Sequence, residues 1–488
     1  MADQKKQGDS KGAKQEFVQH LTPRSVDFAQ WYTDVITLTD LVDYAPVRGC
    51  MVVKPYGCAL WERIKEELDS RFRATGHQNV MMPMLIPESL LLKEAEHVEG
   101  FAPEVAWVTQ GGKDTLQERL AIRPTSEAIF CAMYSKWVQS WRDLPLLYNQ
   151  WCSVMRWEKS TRPFLRTSEF WWQEGHTLHE TPEEAQDETL RMLEIYRQVA
   201  EDALAMPVIT GRKSESEKFA GAVATYSIEA MMQDGKALQA GTSHNFGTNF
   251  TGAFDINFLS REGVLKHPYG TSWGASTRLI GAIIMTHGDE RGLKLPPQVA
   301  PIQIVVLPIA QHKEGVLEGA KAVADALANA GLRVKLDDRD TVSAGFKFND
   351  WELKGVPIRV EVGPRDLAAG QLVAARRDTY EKITLPIEGA PEKLRALLAD
   401  IQRGMYETAL AFRAAHMKTV ASLDELGEAA QNGFAKAMWC GDEACEDAVK
   451  AKTGAGTRNM PFDQTPVADT CVCCGKPAKH VMYFAKAY

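Results

Sequence analysis

No apolar run in this 488-residue chain approaches the ~20 residues of a membrane span, which excludes a transmembrane helix. Residues 1–14 are mostly Lys, Gln, Gly and Asp with no apolar stretch, so they are not expected to be a secretory leader. Residues 1–20 are therefore expected to be a disordered tail, and the chain to be cytoplasmic. Positive charge is not in excess: 56 Lys and Arg face 64 Asp and Glu, a net charge of −8. That argues against indiscriminate nucleic-acid binding and leaves room for a local basic surface. Internal repeats and long low-complexity segments are missing, and no Ser-His-Asp or Cys-His set suggests a protein nucleophile. Cysteine is scarce over most of the length. Of nine, Cys50, Cys58, Cys131 and Cys152 stand singly in apolar or mixed surroundings and read as small buried hydrophobes.

The other five cysteines crowd the end of the chain. Cys440-x4-Cys445 and Cys471-x2-Cys474 form two knuckles with the four thiolates of a structural zinc site. A disulfide framework would need an oxidising compartment, which nothing in the sequence suggests. Cys473 and Cys474 compete for the fourth position; Cys474 is preferred because Gly475 follows and lets the knuckle turn tightly.

At this length two or three domains are expected, and 45% hydrophobic with 25% charged residues is ordinary for globular protein. The dense motifs lie between Phe28 and Arg291. Gly292 to Pro301, with three prolines, reads as a linker. Beyond it an apolar run (Ile302 to Ile309), an Ala-rich amphipathic stretch (Gly315 to Ala330), Arg333 to Leu336, a helical Phe346 to Leu353, Pro357 to Val362 and Gln371 to Ala375 alternate as in a compact α/β domain. From Pro391 the pattern turns helical before the cysteine region.

The most informative stretch runs from Val154 through Arg156 and Glu158 to Arg166 and His176. It reads as two strands joined by a polar loop, with Arg156 and Glu158 on one face. On the second strand Arg166, Ser168, Phe170, Trp172, Glu174 and His176 share a face. Two arginines, two carboxylates and aromatic walls then converge, an arrangement costly to a fold and useful to an anionic nucleotide beside a small zwitterion. Three further stretches carry blander readings singly. Arg123-Pro124-Thr125-Ser126-Glu127 reads as a hydroxyl-capped helix start. Gln239 to His244 reads as a strand edge. Gly270 to Arg278 reads as a glycine-rich turn into an apolar helix, whose start favours an anion.

Together these motifs resemble the three signatures of class II aminoacyl-tRNA synthetases, and within them the prolyl family of the archaeal and eukaryotic type. Leu60 to Thr75 with Gly76 to Pro83 matches the first motif, Arg156-x-Glu158 with Arg166 the second, and Gly274-Ala275-Ser276-Thr277-Arg278 the third. The resemblance implies an α+β and α/β multidomain chain: an antiparallel six- or seven-stranded catalytic domain over 21–291, an α/β anticodon-binding domain over 301–390, and a small α/β zinc-binding domain over 391–488. It implies a homodimer with the first motif and Pro83 at or near the interface, tRNA(Pro), L-proline and ATP as partners, and Mg²⁺ with the phosphates. By the same resemblance, Arg156 and Arg278 are the catalytic arginines. Arg156, Glu158, Arg166, Thr167, Gln239, Thr242, Ser276 and Arg278 bind ATP. Thr125, Glu127, Arg156, Trp172, Glu174, His176, Phe219 and His244 bind proline, and Cys440, Cys445, Cys471 and Cys474 hold zinc. The interval from His176 to Gly270 is too short for the editing insertion of bacterial-type relatives, and an apolar pocket worth only ~1–3 kcal/mol per methylene should let alanine through. The final Tyr488 matches a terminal tyrosine that approaches the active site in the family; packing of the last domain is its plainer reading.

Other readings are another class II synthetase (threonyl, histidyl or glycyl), a non-catalytic synthetase-like regulatory subunit, and a zinc-containing RNA-binding protein. A threonyl enzyme places its zinc inside the active site, whereas these cysteines sit at the far end. A regulatory paralogue would be expected to lose a phosphate-binding arginine, and simple RNA binding leaves the ATP-shaped constellation unexplained. Lys347, Glu352, Lys354 and Arg359 are candidate anticodon contacts or, equally, solvated charges.

Overall fold

The computed structural model describes residues 21–97 and 105–488, so the tail expected over 1–20 lies outside the described residues. Strands β1 (Gln78–Asn79), β2 (Leu146–Met155), β3 (Glu169–His179), β4 (Val208–Arg212), β5 (Ala224–Met231), β6 (Ala237–Gly247) and β7 (Tyr269–Ser276) build the central sheet. Their order is β4-β5-β6-β7-β3-β2-β1, antiparallel except for β1, which runs parallel to β2 at one edge.

Helices α1 (Phe28–Leu38), α2 (Pro55–Ala74), α3 (Glu127–Trp137), α4 (Pro182–Gln198) and α5 (Arg278–His287) surround this sheet. Helix α2 buries Leu60, Ile64, Leu68 and Phe72 at i, i+4, i+8 and i+12, one stripe of a 3.6-residue period. Cys58 lies off that stripe and is exposed, against the expectation of burial; Cys50 and Cys131 are buried and Cys152 is half-buried. The stripe meets Met192, Ile195 and Tyr196 of α4 and the inward residues Ile228, Leu238, Ala240, Trp273 and Ala275 of the sheet. The closest approach in this layer is at Gly175, where a Cβ would stand 2.1 Å from the Trp273 ring, so only glycine lets the strand pass that close.

The segment from Gly292 to Pro301 is packed rather than free. Leu293, Leu295, Val299 and Ala300 are buried in the same core, and the Leu293 and Leu295 amides donate to Leu353 and Gly355 carbonyls. Five strands follow, β8 (Ile304–Pro308), β9 (Val334–Leu336), β10 (Ile358–Val362), β11 (Gln371–Arg376) and β12 (Lys382–Pro386), in the order β9-β8-β10-β11-β12. Helices α6 (Val316–Asn329) and α7 (Ala344–Leu353) lie among them, α6 within the Ala-rich stretch from Gly315 to Ala330. Strand β12 and the short helix Pro364–Ala368 are additions to the elements expected from the sequence.

Helix α8 (Ala390–Ala415) does not open a new core. Leu394, Leu398, Ile401 and Met405 pack with the five-stranded unit, while Phe412 near its far end packs against Phe434 and Tyr483. The last unit has β13 (Met417–Thr419), α9 (Leu423–Ala429), β14 (Phe434–Trp439), α10 (Glu443–Thr453), β15 (Gly456–Thr457), β16 (Met460–Pro461) and β17 (His480–Ala485), with β13-β14-β17-β15 as a sheet. Strand β16 leaves that sheet and pairs with β4, giving the central sheet eight strands instead of the six or seven expected. The extra strand comes from nearly 250 residues further along the chain, where local pattern carries no sign of its partner.

The joint between the first two units is ionic. Asp289 accepts from Arg377 at 2.7 and 2.9 Å, from Tyr380, and pairs with Lys294 at 3.0 Å. Burial would raise its pKa, but the Arg377 guanidinium holds the carboxyl well below the usual carboxylate range. The stabilisation is therefore complete above the unfolded carboxyl value of ~3.9 and is lost as pH falls below it. Asp289→Asn is expected to lose about 3 kcal/mol, the order of a broken enclosed pair. Calorimetric scans at pH 7 should show an earlier transition for the variant, and the gap should narrow as the scans are repeated below pH 4.

Candidate active site

One face of the central sheet carries the core; the other floors a cleft of about 270 Å³. Strand β3 alternates, sending Phe170, Trp172 and Glu174 into the cleft. On β6 simple alternation would separate Gln239 from Thr242 and His244. A bulge removes the conflict: Ile228 pairs with Gly241 but Glu229 with Gln239, leaving Ala240 as an extra residue. Gln239, Thr242 and His244 then reach the same cleft, joined by Ser272, Gly274 and Ser276 of β7. The sequence from Gly270 to Ser276 is thus a paired central strand, not a turn, and Gln239 to His244 is interior to the sheet, not at its edge.

Arg156 and Glu158 do not share a strand face. Strand β2 ends at Met155, and β3 begins at Glu169, so Arg156, Glu158, Arg166 and Ser168 belong to the connecting loop. Arg156 is placed instead by its amide, which donates to Ser168 at 2.7 Å, and by Nε, which donates to the Pro124 carbonyl at 3.0 Å. Its guanidinium lies 5.5 Å from the Phe170 and Trp172 ring centres. Arg278, the first residue of α5, donates to the Leu165 and Gln239 carbonyls at 3.3 Å. Burial lowers the pKa of both arginines; the charge on Arg156 lowers Arg278 further, while Glu127, Glu174 and Glu158 partly offset the effect of burial on Arg156.

The opposite end of the cleft is acidic and apolar. Ser126 stands at the N-cap of α3, but its hydroxyl does not cap; it donates to Glu174. Glu174 also accepts from Gln150 at 2.6 Å and lies 3.2 Å from His176 Nε2. Burial pushes its carboxyl up, and the contacts with His176, Ser126 and Gln150 outweigh that and lower it. Thr125 donates to Glu127, whose second oxygen accepts from Ser272 at 3.4 Å. Phe219 lies 4.8 Å from His244, and the His244 Nδ1 is 2.9 Å from the Thr225 hydroxyl. Burial and the nearby His176 push His244 down to about 3, so its ring is neutral at physiological pH and acts as wall, not cation. Cys152, with Sγ 3.3 Å from Glu174, has its thiol pKa raised by burial and that carboxylate, which makes it a poor nucleophile.

Of the residues singled out from sequence, Thr125, Glu127, Arg156, Trp172, Glu174, Phe219, Gln239, Thr242, His244, Ser276 and Arg278 line the cleft. His176 lies behind it, stacked on Phe130 at 4.2 Å. Glu158 and Arg166 pair with each other at 2.7 Å outside the cleft lining, Arg166 with a side chain 64% exposed, and Thr167 is buried nearby. Sequence reasoning missed Glu217, Thr225 and Ser272. Alternation with His244's neighbours could have suggested Ser272; nothing local marks the other two.

Residues 107–287 match the tRNA synthetase class II core domain (G, H, P, S and T), 303–397 the anticodon binding domain, and 423–488 the C-terminal domain of prolyl-tRNA synthetase. "Proline--tRNA ligase" of Alkaliphilus oremlandii (strain OhILAs) is 62% identical over 477 residues, 97% of this chain and 99% of that one. "Proline--tRNA ligase 2" of Clostridioides difficile (strain 630) is 59% identical over the same shares of the two chains. The chain belongs to the prolyl-tRNA synthetase family.

In this prolyl-tRNA synthetase family member the four cysteines of the last unit meet although 34 residues separate Cys440 from Cys474. The sulfurs of Cys440, Cys445, Cys471 and Cys474 all lie within 4.8 Å of one another, with 3.6 Å between Cys440 and Cys445. Four ligands at ~2.3 Å on a tetrahedron stand about 3.8 Å apart, so the donor set fits zinc. Cys473 packs into the unit's core outside this group, and Gly475 turns the knuckle at φ +70°. Metal analysis of reduced protein is expected to give about one zinc per chain. Cys474→Ser should lower that content, and Cys473→Ser should leave it unchanged.

Proposed function

We propose that the cleft binds proline at its Glu127 end and ATP at its Arg278 end, within a chain that is an ATP-dependent aminoacyl-tRNA ligase joining proline to tRNA. The observation that supports these roles is a single cleft with enclosed charges of both signs, in which no ion pair joins Arg156 or Arg278 to Glu127 or Glu174 among the described residues. A zwitterion beside a polyphosphate satisfies both ends. Glu127 and Thr125 take the secondary ammonium, while Trp172, Phe219 and the neutral His244 enclose the ring. Glu174 lines the cleft beside this wall, and His176 holds it from behind.

In the first step an oxygen of the proline carboxylate attacks the α-phosphorus and pyrophosphate leaves. Arg156 touches both anions, fixing nucleophile and target with planar donors. Arg278 and Arg166 hold the outer phosphates, Arg166 after exchanging its Glu158 contact; Glu158 then accepts from the adenine amino group, and Thr167, Gln239, Thr242 and Ser276 complete the nucleotide site. In the second step a ribose hydroxyl at the tRNA end attacks the activated carbonyl and AMP leaves. Neither step forms a bond to the protein, consistent with charge stabilisation as the main contribution. Mg²⁺ is proposed to enter with the phosphates, since among the described residues the cysteine cluster is the group of three or more His, Cys, Asp or Glu placed to hold an ion. The proposed division is 21–291, 301–390 and 391–488, with α8 running across its last boundary.

For the anticodon, Arg359 and Glu352 line a basic hollow with Arg291, Arg377 and Lys382. Lys347 is buried and donates to the Asp337 carbonyl, which removes it from the surface that tRNA could reach, and Lys354 pairs with Asp350. A homodimer is supported by Met81, Pro83, Met84 and Leu85, an exposed apolar run beside edge strand β1, with Met81 91% exposed. Met81→Asp is expected to shift sedimentation toward monomer, and an unchanged profile at all concentrations would speak against this interface.

Exchange of labelled pyrophosphate into ATP across the twenty amino acids should peak with proline; a maximum elsewhere overturns the assignment. In a folded Arg156→Ala protein this exchange is expected to fall at least ~10²–10³-fold.

A further inference from the structure

Between β4 and β5 the chain runs over residues 213–223, and this loop supplies Glu217 and Phe219 to the cleft. Its base is fixed within the central unit: Lys213 makes a fully enclosed 2.7 Å pair with Glu229, and the Phe219 amide donates to Thr225 at 2.9 Å. Between these two points the loop is held from outside that unit. Glu446 of α10 is buried, and its Oε2 accepts from Ser214 at 3.1 Å, from Ser216 at 2.5 Å and from Thr457 at 3.3 Å. Ser214 and Ser216 are also 3.3 Å apart, so one carboxylate oxygen gathers both hydroxyls. Glu446 directly follows Cys445 in the sequence, so the knuckle that places Cys445 also places this carboxylate.

A carboxylate sunk against three hydroxyls is costly to bury unless each contact is made, so it holds the loop in one position. We propose that Glu446 is a positioning residue for the amino-acid pocket: it latches Ser214 and Ser216, and through them sets where Phe219 closes against His244. The inference rests on the reading of the cleft as the proline site. It assigns the C-terminal unit a part in amino-acid selection at a distance from the reacting atoms. ATP, bound at the other end of the cleft, should not sense it.

The test is steady-state pyrophosphate exchange with the full-length chain, comparing wild type, Glu446→Ala, Glu446→Gln, Ser216→Ala and the Glu446→Ala/Ser216→Ala pair. Glu446→Ala is expected to raise the KM for proline about tenfold, the size of one lost charge-assisted contact, with kcat and the KM for ATP within about twofold. Glu446→Gln, which keeps an acceptor, should recover much of the loss, and the pair should be no worse than Glu446→Ala alone. Zinc content should match wild type in every variant, separating the latch from loss of the knuckle. An unchanged proline KM, an equal rise for ATP, or effects of the pair that multiply would overturn the proposal. If Glu446→Ala fails to fold, the proline KM of Ser216→Ala decides alone, since that change removes one hydroxyl from a surface loop. A wild-type maximum with a different amino acid would instead overturn the reading of the cleft and leave the latch to be read on that substrate.

Discussion

The constraint on which this structure turns is that charges of both signs are enclosed in one cleft without neutralising one another. Arg156 and Arg278 are stripped of much of their water and donate to carbonyls rather than to carboxylates. Glu127, at the start of α3, and Glu174, on β3 between β2 and β7, are buried and are satisfied by hydroxyl and amide donors. Left to itself, such a set would collapse into ion pairs. What prevents collapse is rigidity: each charge is tied to a different strand end or loop of a sheet whose opposite face is fully packed. The unfavourable burial is maintained by the core; on the reading proposed above the substrate relieves it, as suits catalysis by charge stabilisation without a bond to the protein.

That rigidity is assembled from the whole chain. The C-terminal unit lends β16 to the edge of the central sheet, and the Asn459 side chain donates to the Ile209 carbonyl beside it. The last residue does likewise: the Tyr488 amide donates to Ala237, where β6 begins, and its hydroxyl to Asp234 at 2.7 Å. Lys236 lies over its ring at 4.9 Å. These contacts anchor the terminus at the start of the strand that carries Gln239, Thr242 and His244; Tyr488 itself is not among the residues lining the cleft. Helix α8, about 39 Å long, links the five-stranded unit to the C-terminal one as a single rigid element.

Local pattern was a good guide wherever a residue's neighbours in sequence are its neighbours in space. The stretch from Gly315 to Ala330 holds the fourteen-residue helix α6, and the runs at Ile302, Pro357 and Gln371 hold β8, β10 and β11. The cysteine spacing marked a four-thiol group, and the sulfurs meet. Alternation failed at both ends of the motif around Arg156, because a strand period was carried past Met155 into a loop whose course depends on Ser168 and Pro124. It failed again on β6, where a bulge at Ala240 that no residue type announces brings Gln239 onto the face of Thr242 and His244.

The sequence by itself determined the chemistry on offer: which charges, rings and thiols exist, and, through the ordered motifs, the family. It could do so because helix and strand periods, knuckle spacing and short motifs are properties of a few consecutive residues. Only the tertiary structure decided which of those groups share a cleft. It set Arg166 against Glu158 outside the cleft lining, placed His176 behind Glu174, exposed Cys58, chose Cys474 over Cys473, and bound Glu446 to a loop some 230 residues away. The reason is physical: a side chain's direction at a strand end, and its partner across a domain boundary, are set by packing between distant segments, and no local period carries that information.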